Sequence, residues 1–348
     1  MPRSVSDALV QQAQHCARNG AERTARVVRA QIPLAVRPTT RVGQRLGAWP
    51  RDVLEDAVGL RVAGGLRHLY YRQEAERRIL QPIYDGSVVE QAEVDEIIAQ
   101  VVQKHDDALL PWLNSPPQTN ESARSASFAA ALLYLSSATG ISKFNLLEIG
   151  ASAGINTMMD RYHYELGGVS VGPKDSPMQI KPEWRGSPPP DAPVNIVAIR
   201  GCDQNPVDLL QKSEALRAYI WPEMPDRFER LDAAGQLASQ QPPIVDKMDA
   251  ADWIEQELER PGQPGVMRVV MHSIVWQYIS SEGQKRIVRA MERCGSKSDE
   301  TLAWVSVETN RKTFKHELRV RTWLNGQRSS EMHLGCAHSH AQWIEWMK

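Results

Sequence analysis

The chain has 348 residues, 42% hydrophobic and 24% charged, enough for one large domain or two ordinary ones with full cores. Lys+Arg 41 against Asp+Glu 42 leave a net charge of −1, a balance that excludes a general nucleic-acid binder, which carries a basic excess. No apolar run reaches spanning length and the polar start has no secretory pattern, so the expectation is a cytoplasmic protein without a membrane partner.

Residues 1–115 read as helical. In residues 5–17, Ala8, Leu9, Ala13, Cys16 and Ala17 recur near helical spacing, and Asn19-Gly20 stops the pattern. A second helix is expected over residues 22–32, broken by Pro33 and Pro38. Residues 51–78 carry a stripe of Val53, Leu54, Ala57, Leu60, Ala63, Leu66 and Leu69, and residues 88–110 add another helix. This stretch is expected to form a helical cap. The Pro-rich run PWLNSPPQTNE, residues 111–121, leads out of the cap. Thr119 or Asn120 is placed to N-cap a helix over residues 121–139, Glu121 suits its positive end, and Gly140 ends it.

After residue 140 short apolar runs alternate with helical stretches. The runs are residues 145–149, 194–199, 243–247, 266–272 and 302–307. Helices are expected at about residues 153–162, 207–219, 224–239, 251–258 and 282–294. That alternation predicts an α/β fold with a mostly parallel sheet covered on both faces. Residues 318–324 and 331–336, joined through Asn325-Gly326, read as an antiparallel hairpin. The expected division is a helical cap, residues 1–115, and an α/β domain, residues 116–348, with an insertion at about 162–190 that begins with a small hairpin around Gly167-Gly168. The cysteines, Cys16, Cys202, Cys294 and Cys336, lie far apart with no CxxC pair and read as reduced thiols.

The sharpest motif is NLLEIGASAGIN, residues 145–156: a buried strand, a turn of small residues, then a helix. Small residues let a ligand approach the backbone, and a helix N-terminus favours negative groups. A tight turn with no ligand is spelled by the same letters. The stretch LEIGASAG resembles the first motif of class I S-adenosylmethionine-dependent methyltransferases. The matched cofactor-site positions are Glu148, Gly150, Ser152 and Gly154; the resemblance implies that Glu148 holds the methionine part of that cofactor and that Gly150 and Gly154 give its backbone room, while the family often has Gly where Ser152 stands.

Three further stretches continue this resemblance. IRGCDQNP, residues 199–206, is similar to the family's second strand, which implies Asp203 as the ribose ligand, with Glu165 as the competing choice. PIVDKMDAADW, residues 243–253, implies that Asp249 and Ala250 form the adenine-contacting turn, although Asp249 and Asp252 are also good helix N-caps. VVMHSIVWQY, residues 269–278, ends where cofactor and acceptor meet in that family. His272 and Tyr278 are the catalytic candidates there, with His272 able to take a proton near neutral pH and Trp276 able to wall a substrate pocket. The alternative is a satisfied core histidine among core aromatics. The order of elements over about residues 120–348 resembles the Rossmann-like class I methyltransferase fold. It implies S-adenosyl-L-methionine as cofactor, a small-molecule acceptor and direct methyl transfer.

The blocks PPQTNESARS (116–125), DRYHYELGG (160–168), PEWRG (182–186), RGCD (200–203) and HSIVWQY (272–278) resemble a bacterial family catalogued as domain of unknown function 2332, across nearly the whole chain. That family brings no activity with it. Its C-terminal His-Gly stands here as His340-Ala341. Asn120, Glu121 and Arg124 can face a ligand, or cap and pair. Arg161, Tyr162 and Arg185, near the insertion, are candidates for substrate contact; Arg161 and Arg185 can recognise a carboxylate or phosphate, or serve as surface ion-pair partners.

Rival readings stay open. Gly150-Ala-Ser152-Ala-Gly154 is also a G-x-S-x-G match, so a serine hydrolase could use Ser152 with Asp249 or Asp252 and His338 or His340. Cys336, His338 and His340 alternate and would share one strand face, which is hairpin packing or a partial metal site; no metal is expected. A non-catalytic protein that keeps the fold for regulation or assembly is the remaining class.

Overall fold

The structure, a computed structural model, describes residues 4–118, 120–313 and 315–348. It divides into two compact units, Met1–Thr119 with Lys212–Glu229, and Asn120–Gln211 with Arg230–Lys348.

The first unit is helical. Its helices include Val5–Arg18, Glu22–Arg29, Gln31–Val36, Val58–Arg72, Glu74–Asp85 and Gln91–Lys104. Pro33 does not break the pattern as expected. A helix ends at Arg29, a new one starts at Gln31, and Pro33 sits in its first turn, where no N–H is needed. The helix Glu22–Arg29 has no cap of its own, and Glu223 supplies one. Its carboxylate accepts from Arg23 N at 2.7 Å, Thr24 N at 3.1 Å and Thr24 Oγ1 at 3.0 Å. The Tyr219 ring lies against Gly64, where a Cβ would collide with it. These contacts tie Lys212–Glu229 into this unit.

The second unit is built on strands β1 (Lys143–Ile149), β2 (His163–Leu166), β3 (Val169–Val171), β4 (Gln179–Ile180), β5 (Glu183–Arg185), β6 (Asn195–Asp203), β7 (Val245–Lys247), β8 (Val266–Ser273), β9 (Thr301–Thr309), β10 (His316–Leu324), β11 (Gln327–Arg328), β12 (Met332–Ala337) and β13 (Trp343–Trp346). The main sheet has the order β5-β13-β12-β10-β9-β8-β1-β6-β7, with β11 on β10. Its β7-β6-β1-β8-β9 part is parallel throughout. The chain moves outward from β1 through β6 to β7, then returns beside β1 as β8. The switch point between β1 and β8 is therefore where a ligand crevice belongs, at the C-terminal strand ends. β10 runs back antiparallel on β9, and β12 antiparallel on β10, which is the expected hairpin. Asn325 and Gly326 stand at φ 52 and 73, as a two-residue hairpin turn requires. A smaller sheet, β3-β2-β4, holds the hairpin expected around Gly167-Gly168.

Leu147 and Ile149 of β1 pack with Val270 of β8 and Leu302 of β9 under two helices, Ala250–Glu259 and Ser281–Gly295. Leu146 and Glu148 point to the opposite face by strand alternation. The helix Ser125–Thr139 is buried almost all round, as its apolar sequence on every side demands.

Two expected helices differ. Residues 153–162 form a turn and then a short 3-10 helix, Asn156–Arg161. Ser152 and Gly154 stand at φ 54 and 70, which no α-helix admits. Thr157 Oγ1 bonds the Gly154 carbonyl at 2.8 Å and the Tyr162 hydroxyl bonds that of Ile155, so side chains take the groups an α-helix would use. Of residues 207–219 only Ser213–Ala218 is helical, because Asp208 turns the chain by accepting from Leu210 N and Gln211 N. Thr119 lies outside the described residues. The 3-10 turn Ser122–Arg124 precedes the helix Ser125–Thr139 and is capped by Glu121.

Among the described residues no helix is long and apolar enough to cross a membrane. All four cysteines are buried free thiols.

Gly295 closes its helix against Trp323, whose ring occupies the place of a Cβ. Gly295→Ala is expected to cost about 2 kcal/mol by overpacking, read from urea unfolding. Ala341 stands at φ 51, where glycine is free of strain. Ala341→Gly is expected to be neutral or stabilising by up to about 1 kcal/mol in the same assay, unlike an ordinary Ala→Gly change.

Candidate functional site

The turn after β1 is held from three sides. Asp203, at the end of β6, accepts from Ser152 N at 2.9 Å and from Asn205 N at 2.8 Å. Asn120 brackets the turn, donating from Nδ2 to the Ala151 carbonyl at 3.0 Å and accepting at Oδ1 from Ile155 N at 3.2 Å. The Ala151 N–H reaches the Cys202 carbonyl at 2.9 Å. The backbone passes through the left-handed region at Gly150, Ser152 and Gly154. The two glycines do not open onto empty space. The Val275 side chain lies against Gly150, and Pro243 and Val245 come within 2.7 Å of a Cβ built on Gly154.

Beneath the turn three buried polar atoms have no partner: Glu148 Oε2, Ser152 Oγ and Asn156 Oδ1. Glu148 is 2% exposed, and its other oxygen accepts from Asn156 Nδ2 at 3.0 Å. Burial pushes the Glu148 carboxyl up to about 8, and the Asp203 charge adds to this. The Asn156 hydrogen bond and the Arg124 charge act the other way. Arg124 itself donates from Nε to the Ser339 carbonyl at 2.8 Å, and Glu121 pairs with Arg230 at 3.0 Å.

At the end of β8, His272 is 2% exposed and both ring nitrogens are engaged. Nε2 accepts from Trp304 Nε1 at 2.9 Å, so Nδ1 carries the proton and donates to Glu308 Oε1 at 2.7 Å. Trp276 stacks on the imidazole at 5.1 Å. The geometry matches the alternative of a satisfied core histidine. Glu308 Oε1 also accepts from Val275 N and Trp276 N at 3.1 and 3.2 Å. Ile274, just before, stands at φ 51, a strained position for a β-branched residue. Tyr278 is 46% exposed. Glu308 went unnoticed in the sequence; an acid ending a strand of Leu, Ala, Trp and Val was its one signal.

The remaining candidates are spread out. Asp249 N-caps the helix Ala250–Glu259 through Ala251 N at 2.8 Å, and its other oxygen accepts from Gln204 at 2.9 Å. Ala250 is that helix's first residue. Glu165 lies on β2 in the small sheet and pairs with His163 at 2.9 Å. Arg161 caps the end of the helix Pro225–Gln240 through the Leu237 and Gln241 carbonyls. Tyr162 is fully buried, and burial holds its hydroxyl far above the usual range. Arg185 is an exposed partner of Glu183 and lies over the Trp343 ring. Cys336 neighbours His333, and His338 packs on His340 and Trp343. Among the described residues no three His, Cys, Asp or Glu side chains gather as a metal site.

Fold and site together define a mixed α/β protein on a mostly parallel central sheet, with a buried polar cluster at the C-terminal ends of its parallel strands. The chain belongs to a bacterial family: residues 6–346 match the model described as "Uncharacterized protein conserved in bacteria (DUF2332)". No curated protein and no solved structure matches it.

The raised Glu148 carboxyl makes stability depend on pH. An unfolded Glu ionises near about 4.3, whereas the folded one keeps its proton to about 8. Between those values the folded state binds the extra proton, so stability falls as pH rises. Glu148→Gln should remove that slope. Its Tm relative to the parent is expected to improve steadily from about pH 5 to about pH 8, and to change little below about pH 4.

Proposed function

We propose that this protein binds S-adenosylmethionine at the C-terminal edge of β1, β6 and β8 and methylates a small-molecule acceptor. The observation that carries the reading is the unpartnered pair Glu148 Oε2 and Asn156 Oδ1, buried beneath the turn that follows the central strand. Buried polar atoms are normally bonded. With Glu148 ionised, these are two acceptors with nothing to accept, and they fit the ammonium of the cofactor's amino-acid end. That cation would also draw the Glu148 carboxyl back toward its ionised form.

The order of the sheet supports the same reading. The turn lies at the switch point between β1 and β8, and the parallel strands are followed by the antiparallel β10 and β12. This resembles the Rossmann-like class I methyltransferase sheet. Asp203 keeps a second lone pair on each oxygen beyond its two backbone bonds, which leaves it able to receive ribose hydroxyls. Gly150 and Gly154 do not fit the cradle role, since the chain's own side chains fill those places. When bound, the cofactor supplies an electrophilic methyl group, so the protein's part is alignment rather than strong base catalysis. His272 contributes by holding Trp276 in place, because its nitrogens are already used. Tyr278 is an exposed aromatic of that loop and would meet the acceptor. The balanced net charge favours a small acceptor over nucleic acid.

A serine nucleophile stands second. Ser152 has the strained φ that a nucleophile elbow requires, but its Oγ bonds no base.

Calorimetry with S-adenosylmethionine and S-adenosylhomocysteine tests the first reading. Micromolar binding, weakened at least tenfold by Glu148→Gln, is the expected result. Folded, cofactor-free protein that binds neither ligand would sink it. Labelling by a fluorophosphonate that Ser152→Ala abolishes would then establish the hydrolase.

A further inference from the structure

The helix Val58–Arg72 of the first unit carries Arg67, which is only 7% exposed. Four aromatic rings surround its guanidinium. Tyr84 lies 4.4 Å away, Tyr70 and Tyr71 5.2 Å each, and Phe228 5.9 Å. No acidic side chain among the described residues pairs with it. Two acids of this unit have other tasks: Glu223 holds Arg23 and Thr24, and Glu214 pairs with Arg72 at 3.0 Å. Arg67 Nε has no acceptor, and the buried Tyr84 hydroxyl has no partner either. Arg67 and Arg217 both place positive charge near the Tyr71 hydroxyl.

A guanidinium cannot shed its proton to escape burial. Ring faces attract it, yet they offer no lone pair to its N–H groups. Buried charges are otherwise paired. What this cluster lacks is an acceptor of negative charge, and a planar fork of N–H donors suits the oxygens of a carboxylate or phosphate. Tyr70, Tyr71 and Phe228 are only partly buried, which gives such a group an approach.

We propose that Arg67, with the Tyr84 hydroxyl beside it, forms a binding site for a small oxyanion group. The walls are aromatic, so the group would be held in a water-poor setting where a charged hydrogen bond is strong. This site stands independently of the cofactor reading.

The test is thermal unfolding and calorimetry of the full chain with sodium phosphate and, in a second arm, sodium acetate. Ionic strength is held constant with sodium chloride. One of the two is expected to raise Tm above the chloride reference and to bind one to one. A phosphate-only response would assign a phosphoryl ligand, and an acetate-only response a carboxylate. Arg67→Gln is expected to weaken binding at least tenfold, and Arg67→Lys to fail to restore it, since an ammonium lacks the fork. Tyr84→Phe keeps the ring and should weaken binding severalfold; it decides the matter if the Arg67 variants do not fold. No effect of either oxyanion beyond chloride overturns the proposal. So does binding unchanged in Arg67→Gln, or, where that variant does not fold, in Tyr84→Phe.

Discussion

Asp203 ends β6 and uses both carboxylate oxygens on backbone N–H groups, one from Ser152 across in the turn after β1 and one from Asn205 in its own loop. Charge-assisted bonds of this kind are stronger than neutral ones, and they hold a serine at a positive φ that it would otherwise leave. With the turn fixed, Gly150 can lie flat under Val275. Val275 is fixed in turn by Glu308, which reaches over from β9 to its N–H. The edge of four neighbouring strands is thus a chain of side-chain to backbone bonds. Asn120 adds the last link by gripping the same turn from the other side.

Much of the fold was legible because burial imposes a period on a sequence. The runs that became β1, β8 and β9 are largely apolar and buried, as strands covered on both faces must be, whereas the apolar run that became β6 is exposed over its first half. Asn325-Gly326 announced its turn through the one dipeptide that most readily takes two positive φ values. The failures came where side chains compete with the backbone. Residues 153–162 carry helix-compatible letters, yet Thr157 and Tyr162 capture the carbonyls, and the helix gives way to a 3-10 turn. The site was readable in part. Glu148 stood out as an acid in a buried strand, and Asp249 carried two meanings of which the structure displays the cap. Glu308 and Arg67 stayed invisible, since their importance comes from neighbours distant in sequence.

Two buried charged groups, Glu148 and Arg67, meet the cost of burial in opposite ways. Glu148 can escape the cost of burial by keeping a proton, and its carboxyl is raised accordingly. Arg67 has no such escape and is wrapped in aromatic rings instead. By contrast Arg268 in β8, equally buried, meets Glu300 at 2.6 Å. That pair marks the ordinary solution within the same chain, and it makes the unanswered groups at Glu148 and Arg67 exceptions to be accounted for rather than a habit of the fold.

The pairing of β5 with β13 sets the order in which the sheet can be finished. β5 lies in the inserted segment, early in the second unit, and its partner is the last strand in the sequence, joined through Trp343↔Glu183 to Glu345↔Arg185. During synthesis from the N-terminus the inserted segment must wait, its edge open, while almost the whole domain emerges behind it. Long-range pairings of this sort delay folding and leave strand edges bare to other chains in the meantime. Growth conditions that slow translation late in the message would therefore burden this protein more than equal pauses early in it.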